Sequence, residues 1–276
     1  MISPTDSLEV TYILYITIIW IGIQALNLSP DIQGEGINWN FMGIFSKNRE
    51  EWALIDFACL RSDITIVPFY DSLGKEALAL VLNSTEVTTM CIEKNTYDTL
   101  IKLKETECHH LKNLVLLDPV TPEQKALGEA VGLKVYNFDE ILKAGDGNPQ
   151  VVLREPKPES IYMFCYTSGT TGDAKGSKIT HCSLLANSYF WDNGNINYIP
   201  ADVVISYLPL AHAYEQSTLI KSIVVGFSIG YYSGDALKLL EDIAVLKPTI
   251  FNTVPRILNR IHSKIVEGAA SKPAFA

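Results

Sequence analysis

Apolar and polar positions along the chain follow a regular alternation from about residue 40 onward. Short, continuous apolar runs, which predict buried strands, alternate with longer stretches in which apolar residues recur at helical spacing. In chain order the predicted strands are residues 41–45, 64–67, 87–92, 114–117, 160–166, 228–232 and 249–253, and the predicted helices include residues 75–82, 97–105 and 235–246. Because each parallel pairing needs a crossover connection, this alternation predicts an α/β fold with mostly parallel sheets covered by helices.

Single residues refine the predicted element boundaries. Asn48 lies where a cap would begin the first helix after the strand at 41–45. Pro68 is predicted to end the second strand, because proline cannot donate to a ladder. In the last predicted helix, Leu237, Leu240 and Ile243 are expected to share one side.

The N-terminal segment, residues 1–30, is unusually apolar. Between Val10 and Pro30 there is no charged residue. A membrane span needs about 20 predominantly apolar residues, so residues 10–24 are consistent with either a buried helix or a membrane anchor. The flank before them holds Asp6 and Glu9 and no Lys or Arg, which argues against a cleaved signal peptide. The buried helix is the preferred prediction.

Two turn-forming stretches suggest how the rest of the chain is divided. Residues 144–150 are rich in Gly, Asn and Pro, and residues 154–160 are charged and interrupted by prolines. They predict a first α/β subdomain at 31–150 and a second at 151–276.

Composition narrows the function classes. Hydrophobic residues make up 47% of the chain and charged residues 19%, which favours a sizeable core over disorder. The formal net charge of -9 argues against nucleic-acid binding, which needs a basic face. The five cysteines include no C-x-x-C pair, so buried, reduced thiols are predicted rather than disulfides or a zinc site.

The strand predicted at 160–166 runs into a loop of small and hydroxylated residues, 167–176. Its glycines let successive backbone N–H groups point inward toward an anion, its hydroxyls are further donors, and its lysine supplies a positive point charge. The candidate phosphate ligands are Thr167, Ser168, Gly169, Thr170, Thr171, Gly172 and Lys175. A plain surface turn has a similar composition. A Walker A loop does not fit, because Lys175 precedes Gly176 instead of following a glycine and preceding Ser or Thr.

The segment YTSGTTGDAKG at 166–176, followed by Ile179, Thr180 and His181, closely resembles the phosphate loop of the adenylate-forming superfamily. Four further segments resemble long-chain fatty acyl-CoA synthetases in particular: GIFSKNREEW at 43–52, VPFYDSLG at 67–74, SYLPLAHAYEQ at 206–216 and NTVPRILNRI at 252–261. The resemblance implies the large N-terminal domain of the adenylate-forming fold, in incomplete form.

The resemblance also implies a reaction and its substrates. A fatty acid attacks ATP to give an acyl-adenylate, and coenzyme A then takes the acyl group as a thioester. Residues 167–172 and Lys175 would hold the ATP phosphates, with Thr171 nearest to Mg²⁺. His212 would lie where acyl chain and adenylate meet, with Glu215 either orienting it or lying on a solvated face, and Arg256 would pair with an acid rather than act in catalysis.

The same family continues beyond the position of Ala276 with an acid for Mg²⁺, an aspartate for the ribose and a C-terminal lysine. None of these occurs here, so the chain is expected to be a fragment that does not form acyl-CoA by itself. Two alternatives stay open: an adenylate-forming enzyme for another acid, or a truncated, non-catalytic nucleotide-binding protein. A location facing the cytosol, on the endoplasmic reticulum or another organelle membrane, is expected from the family.

Overall fold

The computed structural model describes residues 4–34, 36–71, 73–148, 154–168, 174–190 and 197–270. A short 3₁₀ helix at Lys94–Thr96 precedes one of the helices. In chain order the helices and strands are α1 (Pro4–Ala25), β1 (Asp31–Gly34), β2 (Ile37–Phe45), α2 (Glu50–Arg61), β3 (Thr65–Phe69), α3 (Lys75–Thr85), β4 (Thr89–Ile92), α4 (Tyr97–Thr106), β5 (Asn113–Leu116), α5 (Pro122–Ala130), β6 (Lys134–Asn137), α6 (Phe138–Asp146), β7 (Ile161–Ser168), β8 (Ala174–Thr180), α7 (His181–Phe190), β9 (Val203–Ser206), α8 (Ala213–Val225), β10 (Ser228–Tyr231), α9 (Leu239–Leu246) and α10 (Pro255–Ala270).

The strands form one large sheet and one small sheet. The large sheet has eight strands in the order β6-β5-β4-β2-β3-β7-β8, with β1 paired to β2. Its pairings are parallel from β6 to β7, and β1 and β8 are added antiparallel. The small sheet is the parallel pair β9 and β10. The predicted α/β class with mostly parallel sheets is confirmed.

Alternating side chains of the large sheet contribute to two separate hydrophobic cores. On one side, which we call the α2 face, the buried side chains come from α1, α2, α6, α7 and α8. On the other side, the α4 face, they come from α3 and α4. Ile44 and Cys91 point to the α2 face, and Phe45 and Ile92 point to the α4 face, as the period of two in a strand requires.

Helix α1 packs against α6 through two glycines. A Cβ atom on Gly22 would overlap the carbonyl oxygen of Ile141, and one on Gly145 would overlap that of Ile18, so the two backbones touch. Ile19, Trp20 and Ile23 are buried, whereas the four residues at 12–15 are exposed. Within the described ranges, no helix has the length and apolarity needed to cross a membrane. Ile19, Trp20 and Ile23 of the predicted segment are thus core residues, and the choice between a buried helix and a membrane anchor for residues 10–24 stays a prediction.

Two predicted boundaries near β2 and β3 need correction. The cap position of α2 is Arg49 rather than Asn48, and the Asn48 side chain instead binds the segment after β9. Strand β3 continues through Pro68, which pairs in register with Ile44 of β2. The pairing of β3 with β7 is confined to Ile66, so Pro68 continues the strand beyond that contact.

Two predicted elements near the C-terminal part also differ. Helix α9 begins at Leu239 rather than at 235, and Leu237 and Leu240 are 69% and 41% exposed, while Leu239 is buried. The strand predicted at 249–253 is reduced to one isolated parallel bridge between Ile250 and Val204. A single bridge lacks the repeated ladder bonds that define a strand.

The division near residue 150 stays a prediction, because residues 149–153 lie outside the described ranges. Strands β7 and β8, which follow that position, are part of the same large sheet as β2 to β6. Four cysteines are buried and free, as predicted, and Cys182 is free but exposed.

Candidate active site

The predicted phosphate loop connects two antiparallel strands. Thr167 and Ser168 are the last residues of β7, and Lys175 in β8 is opposite Thr167 in the register. The Lys175 side chain is exposed. The predicted ligands Gly169, Thr170, Thr171 and Gly172 lie outside the described residues.

The direction of β7 explains why this hairpin can serve a ligand. Strand β7 is parallel to β3, which is parallel to β2, so their carboxyl ends point to the same edge of the sheet. Ligands of open α/β sheets bind outside that edge. The base of the hairpin is closely packed, because the ring of Tyr166 covers Gly176, where an added Cβ would lie 3.0 Å from the ring. Gly176 therefore lets β8 approach the aromatic ring of its partner strand.

The small sheet meets the large one at this same edge. Lys47, two residues after the end of β2, donates to the carbonyl of Gly234, after β10, at 2.8 Å. Asn48 donates to Ser206 Oγ at 2.9 Å and to the Leu208 carbonyl at 2.7 Å, and accepts from the Leu210 N–H at 3.1 Å. One buried side chain thus holds the whole turn that follows β9. We call residues 206–212 the histidine turn.

His212 ends the histidine turn and caps α8. Its Nδ1 accepts a hydrogen bond from the N–H of Tyr214 at 3.1 Å, the interaction typical of a helix N-cap. An accepting Nδ1 places the proton of a neutral imidazole on Nε2, so Nε2 is the atom left for other partners. The side chain is exposed. The neighbouring carbonyl of Ala211 lies 3.7 Å from Cys165 Sγ in β7, which brings the turn beside the strand that leads into the loop.

Glu215 neither orients His212 nor lies on a solvated face, so both earlier expectations are wrong. Its side chain is buried, and its Oε1 accepts from Ser206 Oγ at 2.5 Å. Burial raises the pKa of Glu215 to about 7, against the lowering effect of that hydrogen bond. Helix α8 turns this residue into the protein because it follows the cap by three positions, on the side that packs against the sheet.

Arg256, at the start of α10, is exposed, and no ion pair involving it is found among the described residues. The described part of the chain also brings no three His, Cys, Asp or Glu side chains together in a way that could hold a metal ion. Thr171, the residue predicted to lie nearest to Mg²⁺, is outside the described residues.

Sequence reasoning missed a buried polar chain beneath the hairpin. Tyr162 of β7 contacts Asp56 of α2 at 2.6 Å and Gln216 of α8 at 2.8 Å, and Gln216 donates to the Leu210 carbonyl at 2.8 Å. Asp56 and Gln216 have no exposed surface. The available signal was Asp56 itself, the one acid in the otherwise apolar stretch at 52–60.

Comparisons with known proteins show the family and the fold of the chain. The family described as "AMP-binding enzyme" matches residues 38–275. Among curated relatives, the chain is 37% identical over 225 residues to the peroxisomal long chain acyl-CoA synthetase 6 of Arabidopsis thaliana, covering 82% of this chain and 32% of that protein. It is 35% identical over 265 residues to the human long-chain-fatty-acid–CoA ligase 6, covering 91% and 38%. The chain thus spans about a third of the length of these relatives.

Solved structures show the same fold at lower sequence identity. The adenylation domain of a carboxylate reductase from Mycobacterium chelonae superposes with a TM-score of 0.80 at 20% identity, over 96% of this chain and 42% of that chain. A long-chain-fatty-acid-CoA ligase from Archaeoglobus fulgidus gives a TM-score of 0.73 at 20% identity, over 94% and 47%. With the family match extending over most of its length, the chain belongs to the AMP-binding enzyme family.

Proposed function

We propose that the chain is the nucleotide-binding part of a long-chain fatty acid–CoA ligase. The observation that carries the proposal is the β7–β8 hairpin, which presents Lys175 opposite Thr167 at the carboxyl edge of a parallel sheet. A small, hydroxyl-rich loop with one exposed lysine at that edge suits the phosphates of ATP. The long-chain preference is supported by the curated relatives, whose names specify long-chain acyl or fatty-acid substrates.

In the first proposed step, a carboxylate oxygen of the fatty acid attacks the α-phosphorus of ATP, and pyrophosphate leaves. Both reactants are anions, so the site must offset their repulsion and the charge of the leaving group. The ammonium of Lys175 and the donors of the loop would do so by position and charge alone. In the second step, the thiol sulfur of coenzyme A attacks the acyl carbon, the thiol proton is lost, and AMP leaves.

The test is the substitution Lys175→Ala in the protein that carries this chain, read out by ATP–pyrophosphate exchange dependent on palmitate. We expect the exchange rate to fall by about 100-fold, the size typical for loss of one group that stabilises a developing charge. Fatty-acid binding should change far less, because Lys175 is assigned to the phosphates.

Lys178→Ala is the matched control. It removes the same charge from the same strand, at a lysine that lies over the Trp39 ring at 5.2 Å rather than at the loop. Unchanged exchange in Lys175→Ala, or an equal fall in both variants, would contradict the assignment of the loop to ATP.

A further inference from the structure

The strand that leads into the phosphate loop is joined to the histidine turn by the buried chain Asp56–Tyr162–Gln216. It runs from α2 through β7 to α8 and ends on the carbonyl of Leu210, two residues before His212. The backbone N–H of that same Leu210 is held by Asn48. Both polar groups of one residue in the turn are therefore fixed by buried side chains.

The orientation of the Gln216 amide follows from its two partners. Its Nε2 donates to the Leu210 carbonyl at 2.8 Å, and its Oε1 lies 2.8 Å from the Tyr162 hydroxyl. Exchanging the two amide atoms would place Oε1 against the carbonyl oxygen, where neither has a proton to share. Oε1 must therefore face Tyr162 and accept the proton of its hydroxyl.

A tyrosine hydroxyl has only one proton to donate. Once that proton lies on the bond to Gln216, the 2.6 Å contact between Tyr162 Oη and Asp56 Oδ1 needs a proton from Asp56. The other oxygen, Asp56 Oδ2, is buried and has no hydrogen-bond partner, and Asp56 forms no ion pair with any described residue. An ionised carboxylate would leave this charge uncompensated in the core.

We propose that Asp56 is a neutral carboxylic acid that donates to Tyr162 and, through Tyr162 and Gln216, acts as a positioning residue for the histidine turn. The proton-donor order is Asp56 to Tyr162, Tyr162 to Gln216, and Gln216 to Leu210. Ionisation of Asp56 turns it into an acceptor, which competes with Gln216 for the single tyrosine proton. The protonation state is inferred from the hydrogen bonds alone, and only the effect on activity rests on the proposed function.

Burial acts in the same direction and raises the pKa of Asp56 from its ordinary value of 3.8 to about 7, against the lowering effect of hydrogen bonds with Tyr162 and Gln216. Among the groups that face it, Tyr162, Cys59 and Tyr231 have pKa values that burial raises, so they stay neutral near pH 7. His181, whose ring lies against that of Tyr162, has a pKa lowered by burial. Glu215, whose pKa is also raised to about 7, is the other acid that must be separated from Asp56 in an experiment.

The direction in which the stability of the fold changes with pH follows from these pKa shifts. An acid whose pKa is higher in the folded protein than in the unfolded chain stabilises the fold at low pH, and this stability is lost as pH rises from about 4 to about 7. His181 has the opposite effect, because a lowered pKa makes the fold less stable as pH falls. Substituting Asp56 or Glu215 singly therefore separates the contribution of each acid to the pH dependence of stability. His181 is distinguished by the opposite sign of its contribution.

Infrared spectroscopy tests the protonation state directly. Near pH 5, the wild-type protein and the Glu215→Gln variant should both show a carbonyl stretch of a buried, protonated carboxyl, sensitive to exchange in D₂O. This band should be lost when Asp56→Asn, whose amide can still donate to Tyr162, is added to Glu215→Gln, because Glu215 is also protonated near pH 5 and would give a band in Asp56→Asn alone. Lack of a protonated-carboxyl band in Glu215→Gln would overturn the proposal. Because Glu215→Gln retains Asp56, it tests the protonation of Asp56 even if Asp56→Asn fails to fold.

Thermal unfolding and kinetics give the second measurement. The fall in the unfolding midpoint between about pH 5 and about pH 8 should be smaller in Asp56→Asn than in wild type. The palmitate-dependent exchange should be retained by Asp56→Asn with a flatter profile above about pH 7, and should fall about 10-fold in Asp56→Ala, where nothing donates to Tyr162. An unchanged pH dependence in Asp56→Asn would contradict the proposal. Loss of exchange in the wild-type protein, with the infrared band present, would instead count against the proposed function alone.

Discussion

The two faces of the large sheet are built in different ways. The α4 face is filled by apolar side chains of α3 and α4, such as Leu78, Leu82 and Leu100, all without exposed surface. The α2 face has a core of similar size but also contains the buried charged or ionisable side chains Asp56, Glu215 and Lys221. The helices on the α4 face are thus held mainly by apolar packing, with Tyr97 of α4 also donating to the carbonyl of Gln124 at 2.6 Å.

The difference corresponds to what each face must do. The α2 face holds helices and also fixes the small sheet and the histidine turn beside β7, the strand that leads into the predicted phosphate loop, through Asn48, Gln216 and Glu215. Apolar contacts are non-directional and adapt to small shifts. Hydrogen bonds to a backbone carbonyl or N–H specify a position, and buried ones are costly to leave unmade. The comparison indicates that polar side chains are buried on the face that must hold a candidate functional segment, the histidine turn, in a single position.

The largest effect is expected where two backbones touch on the α2 face. In Gly145→Ala the new methyl group would overlap the carbonyl oxygen of Ile18, and the two nearest atoms belong to the backbone, which cannot move aside as a flexible side chain can. We expect a loss of about 4 kcal/mol or more in the free energy of unfolding, with α1 displaced from α6. Chemical denaturation measures the first effect, and increased proteolysis within α1 measures the second.

Gly147→Ala is the control for that substitution. Its new Cβ would make an ordinary contact of 3.5 Å with the carbonyl of Lys143, at the end of the same helix. Its stability should stay within about 1 kcal/mol of wild type. If Gly145→Ala were equally mild, the close packing of α1 on α6 would not be present in solution.

A cavity on the α4 face should cost stability without changing the site. Leu100→Ala removes a side chain without exposed surface from α4 and should lower the free energy of unfolding by about 3 kcal/mol. The exchange rate per folded molecule should be unchanged, because this face does not contact the histidine turn. Leu80→Ala, at a position that is 45% exposed on α3, should be nearly neutral. A reduced rate in the folded Leu100→Ala protein would show that the two faces are not independent.

The alternation of apolar runs with helical stretches predicted the class of the fold because the central strands β3, β4 and β5 are buried along their whole length. It could not predict which polar residues become internal. The position of Asn48 before an amphipathic stretch predicts a helix cap. In the structure its side-chain amide instead donates to Ser206, which is 158 residues away in sequence. This hydrogen bond forms only because the two sheets lie side by side in the fold. A local sequence pattern does not indicate which sheets meet. Glu215 likewise has the surroundings of a surface helix residue until the sheet beside α8 is known.

The loop was predictable to a different degree. Its small residues and its lysine predict an anion site directly, since the chemistry of such a site depends on local donors, and this assignment stays a prediction. The support beneath it was not predictable, because Tyr162 lies in an apolar strand whose period says only that it is buried. Asp56 was the exception, since an acid within an apolar stretch is costly to bury and therefore signals a partner.

The smallest expected effect concerns His212, which combines a structural role with a proposed role in the site. His212→Ala removes the side chain that accepts from the Tyr214 N–H and should lower the free energy of unfolding by about 1 kcal/mol. His212→Asn should restore most of that stability, because an asparagine oxygen caps a helix equally well. We expect the exchange rate to remain about 10-fold low in His212→Asn, since its side chain has no atom equivalent to the outward-facing Nε2.

Stability and rate must therefore be measured on the same preparations of wild type, His212→Ala and His212→Asn. If the rate follows stability across all three, the cap at the start of α8 is the whole contribution of His212. If His212→Asn is stable but slow, the imidazole acts on the substrates as well. The two faces of the sheet predict the second result, because the α2 face holds the histidine turn by Asn48 and Gln216 independently of the cap, leaving His212 free to serve the site.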